Sequence, residues 1–300
     1  MKKYLYSIVF ATLILVSTTV VKAANEVYYT NKENIEMTEE EYNNLLGLGF
    51  TEKQIYRMDE QEFLNNKDIE GTVLSVSEKY FRNYTILRND ITTYRSEEIS
   101  EEEAIRDREL QAEKFQYRAG PPGNYYDGVV ATTTIQVKAK IIGIASTRMR
   151  LMTDVDWYTM PSNRYNDIIA AGFRSSQVQF ASTIVFREDW RDNNGNDGYN
   201  TVCTPKQETN GGSAIFQLPS GSLSQLESYL YFNVKKASGV GTITTLYTSG
   251  DYAHGTSNVS QSNLYNHYTV DQPGGISMDG TYSMYYQQNT APQAKFVGTW

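Results

Sequence analysis

Cysteine and histidine, which often supply nucleophiles, bases and metal ligands, are nearly absent from this 300-residue chain. The single cysteine, Cys203, excludes an internal disulfide, so the fold has to depend on its hydrophobic core. We expect a buried thiol there, with an intermolecular bridge as the alternative. The histidines, His254 and His267, form no His-Glu-x-x-His zinc motif, and no Gly-x-Ser-x-Gly segment offers a serine nucleophile. The sequence therefore predicts a protein that is not an enzyme.

The amino terminus has the three parts of an export signal. Lys2 and Lys3 precede an apolar run from Leu5 to Val20, and Ala23 supplies the small residue at which signal peptidase cleaves. Ser and Thr interrupt this run, which is shorter than the roughly 20 apolar residues of a membrane helix. A cleaved signal over residues 1–23 is therefore favoured over an anchor. The prediction is a secreted protein, extracellular or cell-wall associated, with no integral membrane anchor in the mature chain.

Basic residues are fewer than acidic ones. The chain has 27 Lys and Arg against 35 Asp and Glu, which gives a formal charge of −8. Removal of the signal would take away Lys2, Lys3 and Lys22 but no acid, which makes the mature charge −11. Negative charge repels phosphate backbones. We therefore expect no nucleic-acid partner.

Residues 37–66 have the pattern of two or three short helices. Thr and Asp residues stand where they can accept a backbone hydrogen bond at the start of each helix. These caps are Thr38 with Glu41, Thr51 with Gln54, and Asp59. The stretch Leu45 to Thr51, Leu-Leu-Gly-Leu-Gly-Phe-Thr, resembles the loop of small ubiquitin-associated three-helix modules. In an exported chain, this resemblance implies a packing or docking module.

The next residues predict a connecting region and a domain boundary. Residues 72–76 and 84–87 are predicted as a strand pair, and an acidic helix is predicted over residues 100–117, beginning with a Ser100–Glu103 capping box. Gly120-Pro121-Pro122-Gly123 breaks regular structure. The predicted segments are a signal peptide (1–23), a linker (24–36), a small helical module (37–66), a connecting region with an acidic helix (67–120) and a β-sandwich domain (121–300).

After Tyr125 the hydrophobic period changes from helical to two. Apolar and polar residues alternate over several short segments separated by Gly, Asn and Ser. The sequence therefore predicts a mainly β protein, an antiparallel two-sheet sandwich, with a small N-terminal α-helical module. The expected strands are residues 132–140, 148–152, 178–186, 213–217, 229–235, 241–247 and 295–300.

The segment from Trp157 to Ile169 is the main candidate for ligand binding. An aromatic platform with a polar clamp is typical of sugar and peptide sites. Alternatively, Trp157 and Ile169 fill the core, and Arg164 pairs with Asp167 across a turn. The predicted ligand-binding residues are Trp157, Tyr158, Arg164, Tyr165 and Asp167.

The same segment carries a resemblance to a group of proteins. The chain resembles uncharacterised secreted or cell-surface proteins of Gram-positive bacteria, which join a helical Leu-Gly-Phe-Thr module to a β domain. The matching motifs are Tyr126-Asp127-Gly128 and the Trp-x-x-Met-Pro-x-x-Arg-x-x-Asp-x-Ile pattern of Trp157 to Ile169. The likeness spans residues 37–66 and 121–173. It implies an architecture and an extracellular location but no activity.

A run of Asp, Asn and Gly between residues 192 and 198 has two interpretations. The first interpretation is a calcium site, because calcium takes six to eight oxygen ligands. The residue order departs from the helix-loop-helix calcium pattern, however, and Asn-Gly and Asp-Gly are also hairpin-turn residues. The predicted ligands for calcium are Asp192, Asn194, Asn196 and Asp197.

Two functions follow from these features. The first is a secreted, non-catalytic binding or surface-associated protein, whose partner is a cell-wall, glycan or protein surface. The alternative is a secreted β-rich pore-forming or membrane-active protein, because residues 132–145 and 175–186 alternate as membrane strands do. Glycoside hydrolysis would instead require two carboxylates to converge. The acids considered for that reaction are Asp154, Asp156, Glu188 and Asp189.

Overall fold

Two antiparallel β-sheets packed face to face form the body of the protein, and the small helical module lies against one of them. The computed structural model describes residues 26–88, 91–114, 128–272, 275–289 and 291–300. It confirms the predicted mainly β fold and the antiparallel sandwich. The predicted signal peptide (1–23) and the Gly-Pro boundary at residues 120–123 lie outside the described residues. Among the residues that are described, no helix is long and apolar enough to cross a membrane.

In the described part of the chain, strands outnumber helices. The helices are α1 (Glu39–Gly47), α2 (Glu52–Arg57), α3 (Glu60–Asn66), α4 (Glu101–Lys114), α5 (Gln261–Leu264) and a 3-10 helix (Gly280–Tyr285). The strands of the first half are β1 (Tyr29–Thr30), β2 (Glu36–Met37), β3 (Thr72–Arg88), β4 (Ile91–Ile99), β5 (Gly128–Ala145) and β6 (Arg148–Trp157). The remaining strands are β7 (Asn166–Gly172), β8 (Val178–Phe180), β9 (Val185–Asp192), β10 (Asp197–Asn200), β11 (Thr204–Glu208), β12 (Gly211–Gln217), β13 (Leu223–Lys236), β14 (Thr245–Gly255), β15 (Tyr268–Asp271), β16 (Gly275–Met278), β17 (Tyr286–Gln288) and β18 (Gln293–Val297).

The two sheets differ in size. The large sheet has eight strands in the order β10-β9-β13-β6-β5-β3-β4, with β8 also paired to β13. The small sheet has six strands in the order β11-β12-β7-β14-β17, with β18 also paired to β14. Alternation turns every second side chain inward, so apolar residues of both sheets meet in one core. On β5 these inward residues are Ile135, Val137, Ala139 and Ile141.

The helical module covers the outer face of the large sheet. Its predicted caps at Thr38, Thr51 and Asp59 are confirmed, as each side chain accepts the expected backbone hydrogen bond. The ring of Phe50 is 3% exposed and stands edge-on to Tyr229 and Tyr231, with centroids 5.8 and 5.7 Å away. The module therefore uses its Leu-Gly-Phe loop to pack against its own chain.

Buried ion pairs join this module to the large sheet. Arg57 Nη1 lies 3.1 Å from Glu227 Oε1. Arg187, which is 1% exposed, faces Asp59 and is 3.0 Å from Asp189. Burying charges is costly unless each finds a partner. Both buried arginines at this contact have acids within ion-pair distance, which compensates the cost of burying them.

Some strands begin or end at other residues in the structure than the sequence predicts. Residues 72–76 and 84–87 belong to one continuous strand, β3, whose polar middle is stabilised across the sheet by ion pairs of Glu78 with Lys138 and Lys79 with Glu98. Residues 178–186 divide into β8 and β9, because 181–184 stand opposite only two residues of β13. The strand expected at 241–247 begins at Thr245.

Strand pairing also bears on the remaining sequence predictions. The domain boundaries stay predictions. However, β3 lies in the predicted connecting region (67–120) and hydrogen-bonds to β5 of the predicted sandwich domain. Residues 132–145, which the pore-forming alternative would insert into a membrane, lie within β5. This strand is paired to β3 on one edge and to β6 on the other. Insertion would require both pairings to break.

Candidate functional site

The predicted binding segment crosses one end of the sandwich, between β6 and β7. Trp157 closes β6 and is 2% exposed, with its ring edge-on to Tyr252 and His254 at centroid distances of 5.8 and 5.1 Å. It packs in the core and offers no open face to a ligand. Tyr158 points to the opposite side of the sheet, and Tyr165 is half-buried in the loop. The structure therefore does not contain the expected exposed platform, and ligand binding by these residues stays a prediction.

Asp167 lies at the centre of a polar cluster inside the sandwich. It is fully buried on β7, and its carboxylate accepts hydrogen bonds from the Tyr252 hydroxyl, from the Gly255 amide at 2.8 Å and from His254 Nδ1 at 3.0 Å. A carboxylate only accepts, so Nδ1 carries the proton in this pair. Burial, followed by the charge of Asp167, raises the pKa of Tyr252 well above its ordinary value. The cluster thus holds one carboxylate with three donors.

Arg164 and Glu188 border the same cluster. Among the described residues, Arg164 does not come within ion-pair distance of Asp167. Burial lowers the pKa of Arg164, and the nearby Asp167, Tyr252 and Glu188 oppose that shift. Neither carboxyl oxygen of Glu188 makes a hydrogen bond of good geometry among the described residues. Burial and the charges of Asp167 and Asp189 raise its pKa well above the usual value, while Arg164 and Asn200 lower it. Glu188 therefore has a stronger tendency to hold its proton than an exposed glutamate does.

The four acids considered for hydrolysis are divided between the two faces of the large sheet. Glu188 faces inward, whereas Asp154 and Asp156 face the helical module and α4. Asp154 Oδ2 is 2.7 Å from Lys140, and Asp156 Oδ2 is 3.2 Å from Arg108. Asp189 pairs with Arg187 on the outer side. Because the sheet separates Glu188 from the other three acids, Glu188 forms no catalytic pair with any of them.

Helix α4 covers the side of the large sheet to which Tyr158 points. We call this surface the Tyr158 face; it consists of Tyr80, Arg82, Thr134, Gln136 and Tyr158. Tyr80 and Tyr158 meet edge to face at 5.8 Å, and Gln136 Nε2 donates to the Tyr80 hydroxyl at 2.7 Å. Burial, followed by the charge of Glu78, raises the pKa of Tyr80. The result is a polar surface with two aromatic rings at its centre.

The contacts of α4 with this face are mostly polar. Asp107 accepts from Arg82 Nε at 2.8 Å and Nη2 at 3.0 Å, and from Thr134 Oγ1 at 2.7 Å. The guanidinium carbon of Arg108 lies 3.6 Å from the Tyr158 ring centroid. Gln111 Oε1 accepts from the Met160 amide at 3.0 Å. The hydrogen bond with Asp107 raises the pKa of Arg82.

The apolar anchoring of α4 is small. Among its described side chains, at residues 101–111, only Ala104 is fully buried, between Tyr80 and Tyr158, while Ile105 and Leu110 are 42% and 44% exposed. Partly exposed polar contacts contribute about 0.5–1 kcal/mol each, and a helix of this length is marginal in isolation. The helix is therefore expected to open more readily than the sheet beneath it.

The predicted calcium run forms a hairpin turn between β9 and β10. Asp192 Oδ1 accepts from the amides of Asn194 and Asn196 at 2.8 Å each, and hydrogen bonds, the Asn196 side chain first, lower its pKa. Asp197 instead pairs with Arg191 and Arg57. The hairpin alternative is confirmed, because Asp197 on β10 lies opposite Arg191 on β9 in an antiparallel strand pair. Calcium binding stays a prediction, and the described residues contain no group of three or more His, Cys, Asp or Glu suited to a metal.

Several residues of these clusters were not predicted from the sequence. His254 and Tyr252 share a strand face because they are two residues apart, a signal present in Tyr-Ala-His-Gly. Their partner Asp167 lies 87 positions from His254. The contact of α4 with Tyr158 likewise brings together residues that are far apart in the sequence, and no local pattern predicts it.

Comparisons with known proteins give only remote structural likenesses. No family model matches the chain, and no curated protein matches it. The collagen-binding subdomain ACE19 of the Enterococcus faecalis surface protein ACE is 12% identical, covering 49% of this chain and 88% of that one, with a TM-score of 0.26. A structure named BspA_C_WT is 8% identical over 54% and 58%, with a TM-score of 0.28. The collagen-binding domain of Erysipelothrix rhusiopathiae surface protein RspB is 7% identical over 77% and 84%, with a TM-score of 0.27. We base no conclusion about this chain on likenesses this distant.

Proposed function

We propose that this protein is an exported, non-catalytic binding protein that acts outside the cell, free or attached to the cell wall, and contacts its partner through the Tyr158 face. The observation that carries the proposal is this face itself, which α4 covers and which the partner reaches when α4 opens. It combines two aromatic rings, a guanidinium at Arg82 and the amide of Gln136 on one side of a rigid sheet. Aromatic surfaces with a few fixed polar groups are typical of binding sites.

The polar interior cluster is buried too deeply to act as a catalytic site. Asp167 is 0% and His254 3% exposed, and the carboxylate is occupied by three donors of its own chain. A general base has to lie within hydrogen-bond reach of its substrate. We assign this pair a structural role.

The extracellular location rests on the sequence. The export pattern of residues 1–23 and the resemblance to secreted proteins of Gram-positive bacteria both support it. The acidic composition favours partners other than nucleic acid. Cell-wall polymer, glycan and protein surfaces are the partner classes that we propose.

Retention of purified residues 24–300 on cell wall, glycan arrays and liposomes, with and without calcium, tests the proposal. We expect retention on cell wall or glycan, and a drop of at least about tenfold for Tyr158→Ala. Tyr56→Ala, an exposed tyrosine on α2, is the matched control and should retain full binding. Hydrolysis of a retained glycan, or retention on liposomes alone with dye release, would contradict the proposal.

A further inference from the structure

Helix α4 shows which groups the Tyr158 face can recognise. The face has three parts. They are the Arg82 guanidinium with the Thr134 hydroxyl, the Tyr158 ring with the Asp156 carboxylate, and a small apolar gap between Tyr80 and Tyr158. Asp107 occupies the fork formed by Arg82 and Thr134. Arg108 lies on Tyr158 and donates to Asp156 at 3.2 Å. Each part of the face is thus matched in charge or shape by one residue of the helix.

The spacing of these residues defines a pattern. Ala104, which fills the gap between Tyr80 and Tyr158, is followed three and four positions later by Asp107 and Arg108. Residues three and four apart lie on the same side of a helix. A helix with the order Ala-x-x-Asp-Arg therefore presents a small residue, an acid and an arginine together to the face.

We propose that the Tyr158 face is a protein-binding surface that α4 occupies as an internal ligand, and that the external partner is a helical polypeptide segment with the same Ala-x-x-Asp-Arg arrangement. The proposal rests on the function proposed above and names its partner class and its regulation. The partner displaces α4 and repeats its contacts with Arg82, Thr134 and Tyr158. Among residues 101–111 of α4, one side chain is fully buried, and no α4 residue belongs to the described sandwich core, so the exchange leaves that core intact.

A labelled peptide of residues 100–114 tests the proposal in trans. The receptor is the chain from residue 24 to 300 carrying Asp107→Ala and Arg108→Ala, which loosens its own α4. We expect this variant to bind the peptide at least about tenfold more tightly than the unchanged chain does. A peptide with the same two substitutions should not bind. Adding Arg82→Ala to the receptor should abolish binding of the original peptide.

The matched receptor control is Arg106→Ala with Glu109→Ala. Both residues are exposed on the same helix, so this variant should keep α4 in place and bind no more peptide than the unchanged chain. Absence of peptide binding to the folded Asp107→Ala, Arg108→Ala receptor would overturn the proposal.

Hydrogen exchange on the unchanged protein gives a second test that does not depend on any variant. Local opening of α4 predicts that its amides exchange at least about tenfold faster than those of β5. Equal protection of α4 and β5 would overturn the proposal, because the helix would then leave the face only on global unfolding. Retention of the chain on wall or glycan without peptide binding would overturn this inference alone. Peptide binding without retention on any extracellular surface would overturn the function proposed above.

Discussion

Asp167 and His254 face each other inside the sandwich, with Nδ1 3.0 Å from a carboxylate oxygen on the neighbouring strand. The pairing of Ile168 with Ala253 in the adjacent register position brings β7 and β14 together at this point. With Tyr252 and the Gly255 amide, His254 satisfies a carboxylate that is otherwise surrounded by core residues. The charge is tolerated there because several donors of the same chain compensate it.

Substitution of Asp167 should make the protein easier to unfold. Asp167→Ala leaves Tyr252 and His254 buried without their acceptor, so we expect the free energy of unfolding to fall by about 3–5 kcal/mol. Urea denaturation followed by tryptophan fluorescence measures this change. Asp279→Ala is the control, since this acid is 61% exposed and pairs with His267 at the surface; it should cost less than about 1 kcal/mol. A change below about 1 kcal/mol for Asp167→Ala would contradict the structural role.

Stability should depend on the pH through Asp251. Burial raises its pKa to about 7, and hydrogen bonds from the amides of Ile276 and Tyr252 only partly offset this. The folded state therefore holds its proton at pH values where the unfolded state, with an ordinary pKa of 3.8, has released it. The contribution of Asp251 is full below about pH 4 and is lost as the pH rises towards 7.

The experiment compares the unfolding free energy of the unchanged chain and Asp251→Asn between pH 4 and pH 8. One pKa unit corresponds to about 1.4 kcal/mol, so the difference between the two should change by roughly 2–4 kcal/mol over this range. The unchanged chain should lose stability relative to the variant as the pH increases. Parallel curves would show that Asp251 does not titrate in this window.

The helical module should unfold together with the sheet. Phe50→Ala removes a ring that is 3% exposed between Tyr229 and Tyr231, and we expect a loss of about 3–5 kcal/mol. Circular dichroism and tryptophan fluorescence should still report one common transition. Leu64→Ala, at 51% exposure, should change stability by less than about 1 kcal/mol. Separate transitions for helices and sheet would mean that the module folds independently.

The hairpin between β9 and β10 depends on a left-handed residue. Gly195 has a φ of +87°, a conformation that costs other residues about 1–2 kcal/mol. Gly195→Ala should lower the free energy of unfolding by about that amount, as measured by urea denaturation. Asn193→Ala in the same turn is the control, and we expect an effect within about 0.5 kcal/mol. Equal effects of the two substitutions would contradict the turn geometry as the cause.

Sequence patterns predicted features that depend on neighbouring residues. Thr38, Thr51 and Ser100 mark helix starts correctly, because a cap needs only an amide and a side chain three residues away. Alternation likewise located β5 and β6, since a half-buried strand has to turn every second side chain inward. By contrast, the polar middle of β3 hid a continuous strand, because its ion-pair partners lie on other strands.

By itself, the sequence determined the acidic charge, the short amino-terminal helices and the β-rich remainder, and it predicts an export signal. Only the tertiary structure decided that Trp157 and Asp167 lie in the core, that Phe50 packs on Tyr229, and that α4 covers Tyr158. The physical reason is that periodicity specifies which face of a strand a residue occupies but not which strand lies beside it. Strand order and the packing of helices on the sheets follow from burying all the apolar faces at once, and that condition is met only by the complete fold.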